Sequence, residues 1–101
     1  MLSNADLRDL RAYHRALGDV TRMRVVQLLA TGGDLTVTDL KVHLGVSQPL
    51  LSWHLLRLRR VGIVSMTRSG REVRCALDRT RFGELHERGF RMLMNPSGAP
   101  T

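Results

Sequence analysis

One segment of the chain, residues 47–60, concentrates side chains that can hydrogen-bond to phosphates or to the edges of nucleic-acid bases. Ser47 and Pro49 predict the start of a helix, because a serine oxygen can accept a backbone N–H and a proline in the first turn sacrifices no hydrogen bond. The inward face is predicted from three leucines spaced four and three residues apart, Leu51, Leu55 and Leu58. The outward face then comprises Gln48, Leu50, Ser52, Trp53, Arg57 and Arg60. These groups suit phosphates, base edges and thymine methyl groups in the major groove, although an ordinary amphipathic surface helix shows the same pattern.

Positive charge is concentrated in the same part of the chain. The 101 residues include 16 Lys plus Arg against 9 Asp plus Glu, a net charge of +7, and residues 47–77 hold +5 of it. A local basic field of this kind favours a polyanionic partner, either nucleic acid or an anionic membrane face. No apolar run approaches the roughly 20 residues of a membrane span, and no signal-peptide core is present. We therefore expect a cytoplasmic protein that binds nucleic acid and no membrane.

Residue patterns typical of catalytic or metal sites are missing from the sequence. Cys75 is the only cysteine, which excludes an internal disulfide and fits a reduced cytoplasm. The four histidines do not have the spacing of a zinc site. No glycine-rich phosphate loop or nucleophile elbow is found, and Ser52 and His54 are two residues apart on a helix, so they point in different directions. We predict neither an enzyme nor a bound cofactor.

The chain before this segment predicts three helices. The first runs from about Asn4 to Leu17 and ends at Gly18; Asp19 caps the second, which stops at residues 31–33. The second helix has a wide apolar face for which we expect deep burial, formed by Val20, Met23, Val25, Val26, Leu28 and Leu29. A capping box at residues 36–39 opens the third helix, which Gly45 closes. The third and fourth helices, joined by a short glycine-containing turn, form a helix-turn-helix.

After Arg60 the periodicity changes from helix to strand. Apolar and polar side chains alternate over residues 64–68 and 73–77, on either side of a turn at Ser69 and Gly70, which predicts a two-stranded hairpin. A final helix is expected from about Arg79 to Met94. The predicted fold is mainly α with a β-hairpin wing, in the order ααααββα, over residues 1–94. Residues 95–101, rich in Pro, Gly and Ser, are expected to form a flexible tail.

Two runs of sequence resemble the ArsR/SmtB-type winged helix-turn-helix repressors. The first is ALGDVTRMRVVQLL at residues 16–29, and the second is LGVSQ at 44–48 followed by SWHL at 52–55 and LRRVGIV at 58–64. The resemblance covers roughly residues 14–78. It implies a homodimer in which the first and last helices of two chains pack together and two recognition helices meet successive major grooves. The residues expected to form the dimer interface are Leu7, Leu10, Tyr13, Leu17, Phe82, Leu85, Phe90 and Leu93.

The resemblance also implies which residues contact DNA. The family's recognition-helix contacts fall on Gln48, Ser52 and Trp53, and the wing places Arg68, Ser69 and Arg71 near phosphates or a minor groove. Pro49 and Leu50 replace small hydroxyl residues and Leu56 replaces a common lysine, so apolar contact with thymine is favoured at this turn. Trp53 has two interpretations, a base-contacting anchor or a side chain folded back over Leu56 and Arg57. His54 matches a family histidine that we expect to pack rather than to bind a ligand.

The family's metal-sensing motifs are absent from the matching positions. Thr36-Val37-Thr38 stands where soft-metal sensors carry thiols, and hydroxyls are poor ligands for soft metals. The four ligands of a second family site fall near Arg79, Arg81, Met92 and Asn95, where two guanidinium groups would repel a cation. Two alternatives stay open: an oxygen and nitrogen site made by His86, Glu87 and Glu84 with Asp6, Asp9 or His14, and redox sensing by Cys75. Ordinary solvated charges on helix surfaces also explain the histidines and acids, and an unreactive buried thiol also explains Cys75.

These observations predict a dimeric transcriptional repressor that binds an imperfect palindrome in double-stranded DNA, with half-sites about one helical turn apart. Arg57, Arg60, Arg68 and Arg71 are expected to act on phosphates, and Gln48 and Ser52 on bases. One alternative is a winged-helix module that binds a protein through Leu50, Trp53 and Leu56 as an exposed apolar patch. Another is a non-specific nucleic-acid binder. The sequence does not identify the inducer or signal to which such a repressor would respond.

Overall fold

The structure, a computed structural model, describes residues 2–95, which form five helices and three strands. In chain order the elements are α1 (Asn4–Leu17), α2 (Val20–Gly32), β1 (Leu35–Thr36), α3 (Val37–Leu44), α4 (Gln48–Arg60), β2 (Val64–Ser69), β3 (Glu72–Leu77) and α5 (Arg79–Met94). The predicted helices and hairpin are confirmed. The predicted tail falls mainly on residues 96–101, outside the described part of the chain, and residues 1–94 as one domain stays a prediction.

Side-chain caps define where the helices that flank the turn begin. Thr36 accepts a hydrogen bond from the backbone N–H of Asp39 at 3.0 Å, and the Asp39 carboxylate accepts one from the backbone N–H of Thr36 at 3.1 Å, as the capping-box pattern predicts. Ser47 accepts from the backbone N–H of Leu50 at 3.3 Å and starts α4. Between the two helices Gly45 takes the left-handed conformation, φ 64°, which favours glycine. The helix-turn-helix is therefore specified locally.

The sheet has one more strand than the sequence predicted. β2 and β3 pair antiparallel with Met66 opposite Cys75, which confirms the hairpin. Ser69 pairs with Glu72, so the turn consists of Gly70 and Arg71, one residue later than the predicted turn at Ser69 and Gly70. β1 adds to the other side of β3, with Leu35 opposite Cys75, giving the strand order β1-β3-β2. The wing is thus the outer part of a three-stranded sheet, and β1 ties the chain before α3 to the strand that leads into α5.

The core lies between α2, α3, α4 and the start of the sheet. Leu51, Leu55 and Leu58 are fully buried, as predicted, and so are Val25 of α2 and Cys75 of β3. Deep burial of the whole apolar face of α2 was wrong at its first turn, where Val20 is 72% exposed and Met23 is 49% exposed. Within residues 2–95 no helix is both long enough and apolar enough to cross a membrane.

Candidate nucleic-acid interface

The first turn of α4 projects from the body of the molecule. Four consecutive residues are exposed there, from Ser47 to Leu50, and Ser52 is exposed one turn further on. The three leucines of the opposite face are fully buried, which holds the helix against the core. The Gln48 amide and the Ser52 hydroxyl are therefore accessible at the end of a firmly anchored helix, which is the geometry that base recognition in a major groove needs.

Trp53 lies beside these polar groups and is held by its neighbours. The guanidinium carbon of Arg57 sits 4.4 Å from the centre of the indole, and that of Arg22 sits 5.5 Å away. The His54 ring meets the indole edge-on at 5.1 Å. The indole nevertheless remains 47% exposed. The ring packs against Arg57, as one interpretation predicted, and contact of the exposed part of the ring with a base stays a prediction.

Arg22, which the sequence patterns did not single out, connects the recognition helix to the rest of the fold. It is buried, and its guanidinium donates to the carbonyl of Ala16 at 2.6 Å, to that of Arg15 at 3.0 Å and to Nδ1 of His54 at 2.9 Å. One side chain of α2 therefore joins the end of α1 to the middle of α4. The available signal was spacing, since Arg22 precedes Val25 and Val26 by three and four residues and must share their buried face.

His54 is buried, as expected for a packing residue, and it carries a defined protonation state. Because a guanidinium only donates, Nδ1 of His54 accepts, and the neutral ring holds its proton on Nε2. Burial lowers the pKa of His54, and the positive charges of Arg22 and Arg57 add to that effect, while Asp19, 3.9 Å from Nδ1, opposes it. Burial raises the pKa of Asp19, but the hydrogen bond from the backbone N–H of Arg22 and the positive charge of Arg22 help to lower it overall.

The tip of the wing presents exposed cationic groups. Arg68, Ser69, Gly70 and Arg71 are all exposed, and Nε of Arg68 donates to the carbonyl of Gly70 at 3.4 Å. Glu72 is the only acid in β2, β3 and the loop between them. A hairpin tip of this kind can neutralise phosphates on either side of a groove. Of the three arginines of α4, Arg59 and Arg60 are exposed and Arg57 is half-buried. Arg57 and Arg60 both line a cavity shared with α1.

The residues predicted to form a dimer interface fall into two groups. Leu10 and Tyr13 are buried within the protomer, and Leu17, Phe82 and Leu85 are half-buried against its core. Leu7, Phe90 and Leu93 are exposed, the last two at 63% and 53%. The exposed group lies on the two terminal helices, where the resemblance places the second chain.

Several residues considered for a sensor site are packed or hydrogen-bonded within the fold. The Tyr13 hydroxyl and Nδ1 of His86 are 3.3 Å apart. Arg79 donates to the carbonyl of Ala30 at 2.6 Å. Cys75 is fully buried, and burial raises its pKa to about 11. Among the described residues no group of three or more His, Cys, Asp or Glu side chains could hold a metal ion.

Comparisons with known proteins agree with this geometry. Residues 19–66 match the family described as "Bacterial regulatory protein, arsR family". The chain is 35% identical to the transcriptional repressor SdpR of Bacillus subtilis over 66 residues, which cover 65% of this chain and 72% of SdpR. It is 36% identical to a probable mercury resistance operon repressor of Streptomyces lividans over 73 residues, 72% of this chain and 58% of that protein. The crystal structure of an ArsR family transcriptional regulator superposes with a TM-score of 0.77 at 24% identity, covering 100% of both chains.

Proposed function

The chain belongs to the ArsR family of bacterial regulatory proteins, and from that premise we propose that it is a homodimeric transcriptional repressor that binds an imperfect palindrome in DNA. The observation that carries the proposal is the start of α4, where Gln48 and Ser52 are exposed on a helix whose opposite face is fully buried. A rigid helix with accessible hydrogen-bonding groups at its tip can read base edges, and the basic wing beside it supplies phosphate contacts.

Base recognition is assigned to the first two turns of α4. The Gln48 amide can pair bidentately with adenine and the Ser52 hydroxyl can bond to more than one base. Leu50 is exposed next to them and suits a thymine methyl group, while Pro49 stiffens the turn that carries all three. Trp53 borders this surface and adds an aromatic face to it.

Phosphate contact is assigned to arginines of the wing and of the C-terminal end of α4. Arg68 and Arg71 stand at the tip of the wing beside Ser69, and Arg60 ends the recognition helix. Each phosphate neutralised by an arginine releases counterions, so the affinity for DNA should fall steeply with salt. Arg57 contributes through its stack on Trp53 as well as through its charge.

Repression and dimerisation are supported by the relatives and by the surface. SdpR and the Streptomyces protein are both named repressors. Phe90 and Leu93 leave apolar side chains on the outer part of α5, which a second copy of the chain would cover. Leu7 of α1 is a further exposed apolar residue of the predicted dimer interface. Leu10 and Tyr13 would then support the interface from beneath rather than contact the partner.

A salt-titrated binding assay on duplexes selected from random sequence tests this proposal. Replacing Gln48 or Ser52 with Ala should cost about 1–3 kcal/mol on the selected duplex and little on a scrambled one. Arg71→Gln should weaken both duplexes equally and reduce the slope of log affinity against log salt by about 1. Equal wild-type affinity for selected and scrambled duplexes would contradict sequence-specific binding and favour a non-specific nucleic-acid binder.

A second candidate function is protein binding, because Leu50, Trp53 and Leu56 are all exposed on α4. Three large apolar side chains on one short helix can form a docking patch. Trp53→Ala separates the two functions. If the variant keeps both DNA affinity and sequence preference but loses a defined protein partner, the patch serves that partner; if it loses DNA affinity, the patch belongs to the DNA surface.

A further inference from the structure

A cavity of about 310 Å³ lies between α1 and the second half of α4. Five of its lining residues are arginines, three from α1 and two from α4: Arg8, Arg11, Arg15, Arg57 and Arg60. The other three are two alanines and a valine. We call this cavity the arginine cleft. Its size falls within the range of roughly 300–1,000 Å³ typical of small-molecule sites.

Sequence spacing explains why the five side chains converge. Arg8, Arg11 and Arg15 are three and four residues apart, so they form one stripe along α1. Arg57 and Arg60 are three residues apart on α4 and form a matching stripe. The alanines on the facing part of α1 are too small to fill the space between the helices, and the cleft remains open.

The charge of the arginine cleft is uncompensated within residues 2–95. No acidic group of this part of the chain pairs with any of the five guanidiniums, whereas Arg88 and Arg91 of α5 lie 3.8 Å from Asp6 and Glu87 respectively. Like charges held together in this way repel one another and destabilise the fold. In addition, Nε of Arg57 is buried and has no hydrogen-bond partner. A buried donor without an acceptor costs free energy, and a rotation of the Arg57 side chain that turned Nε into the cleft would let an anion accept from it.

We propose that the arginine cleft binds a small anion that carries at least two phosphate charges, of the diphosphate class. Guanidinium groups recognise phosphate oxygens through paired, charge-assisted hydrogen bonds. Arginines of both helices can bind the same multiply charged anion, whereas a single carboxylate would neutralise only one arginine. The bound anion would also bridge α1 to the recognition helix.

A free phosphate compound fits the cleft better than the DNA backbone does. Gln48 and Arg60 are at opposite ends of α4, about 18 Å apart at a rise of 1.5 Å per residue. The cleft is lined by Arg57 and Arg60 of the second half of α4, and neither Gln48 nor Ser52 is among its lining residues. Its occupation should lower DNA affinity if Arg57 and Arg60 also meet DNA phosphates, and this consequence alone rests on the proposed function.

Calorimetric titration of the full chain with inorganic diphosphate, at constant ionic strength, tests the site without DNA. We expect saturable binding of one diphosphate per chain and weaker binding of inorganic phosphate. Arg11→Gln and Arg15→Gln should each reduce the affinity about tenfold, as expected for a lost hydrogen bond to a charged group. Arg24→Gln is the matched control: it removes the same charge from an exposed residue of α2 outside the cleft, and we expect a change below about twofold.

Two results would overturn the proposal. One is an isotherm that does not saturate, or that weakens equally in Arg24→Gln and Arg11→Gln, since affinity would then follow total charge. The other is a loss of DNA affinity in Arg11→Gln without saturable diphosphate binding, which would make the DNA backbone the occupant. Thermal melting checks the fold, and Arg11→Gln should not lower the melting temperature at low salt because it removes a like charge. Failure of DNA binding by the wild type would leave the diphosphate isotherm unaffected.

Discussion

At the scale of single residues, the most consequential contact is the one between Arg22 and His54. Arg22 reaches the carbonyls at the end of α1 and Nδ1 of His54 in α4. Protonating His54 would place a donor against a donor and a positive charge among the positive charges of Arg22 and Arg57, opposed by the negative charge of Asp19. The recognition helix is therefore best anchored when His54 is neutral.

The lowered pKa of His54 predicts the direction of a pH dependence. The unfolded chain binds the proton more readily than the folded one, so the contribution of His54 to stability is complete above about pH 6.5 and falls as the pH drops below that value. Urea unfolding between pH 5 and 7.5 should show this fall, with a slope below about 1.4 kcal/mol per pH unit, the limit for one proton. His54→Gln keeps an acceptor for Arg22 and should remove this part of the slope. An unchanged slope in the variant would contradict the assignment.

Cys75 gives a second prediction at this scale. The thiol is fully buried and burial raises its pKa to about 11, so almost none of it is thiolate at neutral pH. Iodoacetamide should therefore label the native protein at least about 100-fold more slowly than the protein in urea, since labelling requires local opening. Equal rates in the two states would revive redox sensing by this cysteine. Its place on a strand between apolar residues predicted the burial correctly.

At the scale of elements, local sequence signals predicted the helices and the hairpin, whereas the third strand and the orientation of Arg57 depend on long-range contacts. α1 and α5 begin and end at the predicted residues, and the caps at Thr36 and Ser47 are formed as expected. β1 was missed because a strand of two residues has no periodicity of its own and exists only by pairing with β3, forty residues later in the chain. Arg57 was predicted to face outward, and this was wrong because α1 packs against α4 at this position. The sequence of α4 alone does not predict that contact.

The contact between α1 and α5 depends on the absence of a side chain at Gly89. A Cβ atom added there would lie 2.6 Å from Cδ1 of Leu10, which is buried against α5, whereas a Cβ added at Gly83 of the same helix meets nothing within 4 Å. Both substitutions by Ala gain helix propensity, about 1 kcal/mol. Gly89→Ala should nevertheless be less stable than Gly83→Ala by about 1 kcal/mol in urea unfolding, because the terminal methyl group of the packed Leu10 side chain must move aside.

A second substitution checks the cause of that difference. In a Leu10→Ala background the added methyl group at Gly89 has no side chain to displace, so Gly89→Ala and Gly83→Ala should then have nearly equal effects. A difference that persists in this background would mean that the helix backbones themselves are forced apart. Leu10 would then not be the contact that limits how closely α1 and α5 approach.

At the scale of the whole molecule, the chain is longer in one direction than a compact domain of its size. Its radius of gyration is 15.3 Å and its extents are 48 × 21 × 21 Å, against about 13 Å expected for a compact domain of 100 residues. Phe90, Leu93 and Met94 are exposed near the end of α5. An elongated protomer with an apolar end is well suited to pair with a second copy, which would enlarge the buried core.

Dimerisation through α5 is tested by Phe90→Ser combined with Leu93→Ser. Each side chain covered by a partner contributes about 1.5–3 kcal/mol, so the double variant should shift the dimer to monomers in sedimentation experiments at micromolar concentration. Trp53→Ser is the control, because it removes an exposed aromatic residue from α4 and should leave the sedimentation unchanged. A double variant that sediments like the wild type would place the interface elsewhere.

The proposed dimer predicts how the affinity for DNA depends on the spacing of the two half-sites. Two recognition helices related by a two-fold axis reach major grooves about one turn apart, roughly 34–36 Å or 10–10.5 base pairs. Inserting five base pairs between the half-sites of the selected duplex moves one half-site to the opposite face of the DNA, and ten base pairs restore the face but double the separation. A dimer joined through packed helices cannot adapt to either change, so both insertions should reduce the affinity to that of a single half-site, measured by gel shift or anisotropy. If α5 forms the interface, the Phe90→Ser, Leu93→Ser variant should bind each half-site independently, and its weaker affinity should not depend on the spacing at all. If the wild type tolerates five inserted base pairs, the two chains are not held as a rigid pair, even if the protein proves dimeric in solution.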